Sequence, residues 1–219
     1  MIQGAIFDMD GTLLDSMGMW ANIGTEYLRS LGYVPEENLN QIFKDMSLAQ
    51  AAGYYRTHYG VTLSVDEIIN GVNNALAQFY HERVQLKPGV MEFLRRLEGQ
   101  GVKMCLATAT DRPLVEAALK HCGIADCFSE IYTCHSVGHG KDEPVIYRAA
   151  AEHLGVPKCS IVVFEDALYA VRTAKRDNYV TAAVYDQYEE GQAGIQALAD
   201  IYIKDYTQAE HFWEFAAGL

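Results

Sequence analysis

The sequence predicts an α/β fold, a parallel sheet covered by helices on both faces and interrupted after its first strand by a bundle of helices. Short apolar runs recur at residues 2–7, 102–107, 131–134, 161–164, 179–185 and 200–203, each about as long as a buried strand. From residue 90 onward these runs alternate with helix-period stripes, the pattern of a parallel sheet with crossover helices. Between the first and second runs the periodicity is helical, and no strand pattern occurs until after residue 86.

Taken in order, Ala5-Ile6-Phe7 ends the first strand. Trp20, Ile23, Tyr27, Leu28 and Leu31 then share one helical face. Leu39, Ile42, Phe43 and Met46 form a second stripe, and Ile68, Ile69, Val72, Leu76, Phe79 and Tyr80 a third. Gly32-Tyr33-Val34-Pro35 and Gly60-Val61-Thr62 read as breaks between them. Lys87-Pro88-Gly89 closes the bundle. Val90, Phe93, Leu94 and Leu97 mark the next helix, which ends near Gly99-Gln100-Gly101. Pro113 fits the first turn of a helix stopping at Gly123, and Pro144 that of a helix ending near Gly155. The expected organisation is a core of residues 1–14 and 87–219 with a helical insert at 15–86.

Composition narrows the function classes. Half of the 219 residues are apolar, enough for a substantial core. The net charge of −12 argues against nonspecific nucleic-acid binding. An anionic ligand would therefore need local positive charge from a metal or a placed lysine. The five cysteines, Cys105, Cys122, Cys127, Cys134 and Cys159, contain no C-x-x-C, so neither a disulfide framework nor a zinc ribbon is expected. With no signal-peptide pattern and no long apolar span, the expected setting is the cytoplasm, away from membranes. No feature of the sequence specifies an oligomer, and a monomer is the default expectation.

The chemistry concentrates where strands end. Asp8-Met9-Asp10-Gly11-Thr12 follows the first strand directly, at the edge where open α/β sheets place ligands. Two carboxylates so close repel unless a cation lies between them, and a hard dication with oxygen ligands serves best. Thr108-Ala109-Thr110 follows the second strand, Gly140-Lys141 the loop after the third, and Glu165-Asp166 the fourth. Acids for a metal, a hydroxyl and backbone N–H groups for phosphoryl oxygens, and an ammonium for the transferring charge together match phosphoryl transfer. Cys134, His135 and His139 suggest zinc only weakly, for want of a fourth ligand. A P-loop at Gly138-His139-Gly140-Lys141 fails, because His135 and Asp142 occupy positions that need Gly and Ser or Thr. Asp186 reads as a polar turn, and Trp20, Tyr54 and Tyr55 as core aromatics rather than pocket walls.

These motifs resemble the haloacid dehalogenase superfamily, in the subgroup that holds beta-phosphoglucomutase and phosphoglycolate phosphatase. The resemblance covers nearly the whole chain. Gly140-Lys141-Asp142-Glu143-Pro144 is similar to the family's Gly-Lys-Pro-x-Pro segment without its first proline, and Glu165-Asp166-Ala167 to its Glu-Asp-Ser pattern. The resemblance implies a Rossmann-like core with a mobile helical cap. It also implies Asp8 as nucleophile, Asp10 as general acid and base, and Mg²⁺ held by Asp8, the Asp10 carbonyl and Asp166. Glu165 would be a ligand or an orienter. Thr108 and the Ala109 N–H would grip phosphate, and Lys141 would neutralise its charge. The implied activity is Mg²⁺-dependent hydrolysis of a small phosphorylated metabolite such as a sugar phosphate or phosphoglycolate, with a phosphomutase as the alternative. Trp20 and Leu48 stand near positions where mutase-like chains carry His and Arg. Asp10 counts against a dehalogenase, and the length and helical insert against a receiver domain.

Overall fold

A computed structural model describes residues 2–43, 46 and 48–219. Along the chain, β1 (Gly4–Phe7) precedes α1 (Met17–Ser30), α2 (Leu39–Phe43), α3 (Leu48–His58) and α4 (Val65–Glu82). Then follow α5 (Val90–Gly99), β2 (Lys103–Thr108), α6 (Arg112–His121), β3 (Ile131–Thr133), α7 (Cys134–Val137) and α8 (Val145–Leu154). The chain finishes with β4 (Ile161–Glu165), α9 (Leu168–Arg176), β5 (Val180–Val184), α10 (Gln192–Leu198), β6 (Ile201–Ile203) and α11 (Glu210–Ala217).

Two compact units result, one of Met1–Ser16 with Val84–Leu219 and one of Met17–Arg83. The first holds a six-stranded, all-parallel sheet in the order β3-β2-β1-β4-β5-β6. Every residue of β1 and β4 is buried, so these strands read as continuous apolar runs rather than alternating ones. The predicted α/β architecture is the observed one. The third strand is one residue shorter than expected. Thr133 and Ser136 cap each other reciprocally there, which turns Cys134 into the start of α7.

The segments joining the units pair within the first. Leu14 bridges Leu86 antiparallel, Asp15 N donates to Gln85 O at 3.0 Å, and Lys87 N donates to Leu13 O at 2.8 Å. Asp15, Ser16 and residues 84–86 therefore group with the sheet, whereas the expected insert ran over 15–86. Lys44, Asp45 and Ser47 of that insert lie outside the described residues.

The second unit packs α1–α4 around Tyr27, Leu28, Leu39, Tyr55, Ile68, Val72 and Leu76. Ser64 and Glu67 form a capping box at the start of α4. Gly71 lets the Tyr27 phenol pass, since a Cβ there would lie 2.0 Å from its oxygen. Tyr55 is core and donates to Gly24 O at 2.5 Å. Trp20, expected in the core, is 38% exposed and donates Nε1–H to the Tyr80 hydroxyl at 2.8 Å.

Candidate active site

Parallel strands bring their carboxyl ends to one edge, and the order β2-β1-β4 puts the end of β1 between its two neighbours. Asp8 continues β1 and donates its N–H to Phe164 O at 2.9 Å. Thr108 ends β2 on one side, and Glu165 ends β4 on the other, followed by Asp166. Lys141 reaches this edge from the loop between α7 and α8. Its Nζ donates to Asp8 Oδ1 at 2.5 Å and to Glu165 Oε1 at 2.7 Å. Asp8, Lys141, Glu165 and Asp166 are all buried. The structure thus gathers four of the expected site residues, and Lys141 is no solvated loop lysine.

Charge explains the grouping. Burial pulls the Lys141 ammonium towards deprotonation, but Asp8 and Glu165 outweigh that and hold it above its ordinary range. Burial pushes Glu165 up to about 7, opposed by Lys141 and reinforced by Asp8. Burial, then the negative charges of Asp8 and Glu165, holds Asp166 well above the usual carboxylate range. Three buried carboxylates face one ammonium, and a further cation would relieve the excess. Asp8, Glu165 and Asp166 offer ligand oxygens all within 4.8 Å of one another, the only such His/Cys/Asp/Glu group among the described residues. This all-oxygen anionic donor set fits Mg²⁺.

Two hydroxyls grip the Asp10 carboxylate. Its Oδ1 accepts from Ser16 Oγ at 2.6 Å and its Oδ2 from Thr110 Oγ1 at 2.7 Å. Met9 between the two acids is fully buried, which anchors the turn. Thr108 is buried, with its Oγ1 accepting from Thr110 N at 3.1 Å, whereas Ala109 is exposed.

Several supporting residues lay outside the sequence reading. Thr12 Oγ1 donates to Asp166 Oδ1 at 3.0 Å, and Tyr206 donates its hydroxyl to Thr12 O at 3.2 Å. Tyr147 donates to Glu165 Oε1 at 2.7 Å. Thr12 closes the first motif, Ser16 follows it and Thr110 closes the second, so the signal for their hydroxyls is the motif itself. Tyr147 sits in an apolar helix stripe and offered none. Among the weaker candidates, His139 pairs with Glu143 at 3.3 Å on the surface. Asp186 takes Lys87 Nζ at 2.9 Å and Tyr188 N at 2.9 Å, as a turn residue would.

Sheet order and the helical insert after the first strand define a Rossmann-like α/β core with acids at its strand ends. The family pattern of haloacid dehalogenase-like hydrolases matches residues 5–184, and the chain belongs to that family. It is similar to hexitol phosphatase B of Escherichia coli, 28% identical over 178 residues that make up 80% of this chain and 79% of that one. It is also similar to the phosphorylated carbohydrates phosphatase of Thermotoga maritima, 24% identical over 204 residues, covering 93% of this chain and 94% of that one. A solved Thermotoga maritima structure, provisionally described as a beta-phosphoglucomutase, superposes with a TM-score of 0.86 at 24% identity. That match covers 97% of this chain and 99% of that one, and it speaks for the fold.

Proposed function

We propose that the chain is a Mg²⁺-dependent phosphatase acting on a small phosphate monoester, of the sugar- or polyol-phosphate class, through an aspartyl-phosphate on Asp8. The observation that carries this reading is the buried group of Asp8, Lys141, Glu165 and Asp166 at the carboxyl edge of the sheet. A carboxylate in that position is a nucleophile towards phosphorus. An Asp8 oxygen attacks phosphorus, the bond from phosphorus to the ester oxygen breaks, and Asp10 gives that leaving oxygen its proton. Water then attacks the phosphorus and gives its proton to Asp10, and the bond from phosphorus to the Asp8 oxygen breaks. The Ser16 and Thr110 hydroxyls suit this role by holding both oxygens of Asp10 in place. Asp8, Asp166 and the Asp10 carbonyl would hold Mg²⁺. The ion would neutralise charge on the transferring phosphoryl group. Lys141 supplies positive charge beside Asp8, and Thr108 with the Ala109 N–H would take phosphoryl oxygens.

The substrate class rests on relatives named for phosphorylated carbohydrates and hexitols. Hydrolysis is preferred over a mutase reaction because Trp20 commits its N–H to Tyr80, and Leu48 has no polar group to grip a second phosphate. The test is a panel of phosphorylated metabolites with Mg²⁺. Asp8→Asn should cost at least about a thousandfold, or about 4 kcal/mol of barrier, since an amide is no carboxylate nucleophile. Chelation should silence the wild-type enzyme and Mg²⁺ restore it. Retention of a tenth of the activity in Asp8→Asn, or recovery with zinc alone, contradicts the proposal.

A further inference from the structure

We propose that Tyr147 is a positioning residue for this reaction: its phenol hydroxyl fixes the Glu165 carboxylate against the Lys141 ammonium. The inference rests on the phosphatase reading of the site. Tyr147 is fully buried on α8, in a cluster with Ile6, Cys105, Ile146, Ala150 and Val163. A phenylalanine would fill that space, and burying a phenol oxygen there is unfavourable without a partner. The partner is specific. The hydroxyl donates to Glu165 Oε1 at 2.7 Å, and the same oxygen accepts from Lys141 Nζ at 2.7 Å. Both lone pairs of Oε1 are then engaged, so through this oxygen Glu165 serves the ammonium rather than a metal. Burial, with Glu165 beside it, holds the phenol well above its ordinary range, so it remains a donor.

Tyr147 is itself fixed. Its carbonyl accepts from the Tyr179 hydroxyl at 3.1 Å, and the two rings meet edge to face at 6.3 Å. The arrangement matters most once Asp8 has reacted. The ester oxygens of an acyl phosphate no longer carry the full carboxylate charge, so Lys141 keeps Glu165 as its anionic protein partner. A tethered Glu165 keeps the ammonium in register for both half-reactions.

The experiment is Tyr147→Phe, read three ways. Turnover of the best ester should fall about 10–100-fold, the usual weight of a hydrogen bond to a charged group, while KM stays within about threefold. Mg²⁺ alone, titrated calorimetrically into chelator-stripped protein, should bind within about threefold of wild type, whereas Asp166→Ala should lose about tenfold or more. In ¹⁵N-lysine spectra the Lys141 ammonium signal should be sharp in the wild type and shifted or broadened in the variant. Unchanged turnover with an unchanged ammonium signal would reduce Tyr147 to packing and overturn the proposal. A loss of Mg²⁺ affinity equal to that of Asp166→Ala would make it an orienter of a metal ligand, which also overturns it. A wild-type protein that hydrolyses no ester of the panel defeats the phosphatase reading instead, a result distinct from both.

Discussion

Replacing Asp166 by asparagine should make the metal-free protein more stable and the protein less responsive to Mg²⁺. The ligand oxygens of Asp8, Glu165 and Asp166 lie within 4.8 Å of one another, and the Lys141 ammonium donates to the first two. At an effective dielectric of about 20, each carboxylate pair at that separation repels by about 3.5 kcal/mol. The substitution would remove the burial cost of the charge and two such repulsions, and with them the weaker attraction to Lys141. The carbonyl oxygen of the new side chain still accepts from Thr12, as Asp166 Oδ1 does at 3.0 Å. The full sum is not recovered, because a crowded carboxyl takes up a proton instead. At pH 7 that escape limits the cost to about 4 kcal/mol for a carboxyl whose unfolded pKa is about 3.9. The expected gain is therefore about 1–4 kcal/mol, and each kcal/mol raises the melting temperature by about 2–4 °C in a chain of this size.

The assay is thermal or urea unfolding of both proteins, in chelator and in saturating Mg²⁺. Ligand at a hundred times its Kd stabilises by about 2.7 kcal/mol, so the wild type should recover most of its deficit with the ion while the variant gains little. If Asp166→Asn is destabilising by more than about 1 kcal/mol in chelator, the well-hydrogen-bonded anion outweighs the repulsion and the reasoning fails. Equal stabilisation of both proteins by Mg²⁺ would place the cation elsewhere.

Thr110→Val keeps the side-chain shape but removes the donor at 2.7 Å from Asp10 Oδ2. Turnover of alkyl phosphates should fall about 10–100-fold, and that of an aryl phosphate with an acidic leaving group should fall less; equal losses would remove Asp10 as the proton donor. Asp177 ties α8 to the segment before β4, accepting from Arg148 Nη2 at 2.5 Å and from Lys158 Nζ at 2.8 Å, and the Arg148 bond above all holds its carboxyl below the usual range. Its stabilising contribution is complete above the unfolded pKa of about 3.9 and is lost as pH falls through the lower folded value. Asp177→Asn should cost about 1 kcal/mol at pH 7, modest because Arg148 is 63% exposed, and the gap between the urea midpoints should close from pH 5 towards 3. A gap that widens in acid would contradict the assignment.

The fold was legible in the sequence where burial left a periodic trace. Strands β1, β2, β4 and β5 are apolar on both faces, and the residues that end them could be read as sheet-edge residues. The sequence reading gives no stripe to α3, α9, α10 or α11, and the last two carry the weaker trace. Only Ile195 of α10 is buried. In α11, Phe212 packs with Phe93 at 5.0 Å while Trp213 lies under the Arg96 guanidinium at 4.1 Å, contacts made across the fold rather than along the chain. The ends of the insert were displaced for a related reason. The backbone bonds that pair Asp15 with Gln85 depend on two distant segments meeting, which no local pattern announces.

The site divides along the same line. Parallel topology converts strand order into spatial adjacency, so Asp8, Thr108, Glu165 and Asp166 could be placed on one edge once the strands were known. Lys141 needed a motif as well, because its loop could end anywhere. Its two acidic partners lie 133 and 24 residues away in sequence. A hydroxyl that reaches an acid from a helix face leaves neither periodicity nor motif. Tyr147 occupies a core position of α8 and differs from a phenylalanine by one atom, and that atom is the one that touches Glu165. Residues of this kind are found only when every buried polar atom is traced to its partner, because the free energy that favours them over an apolar side chain lies in that one contact.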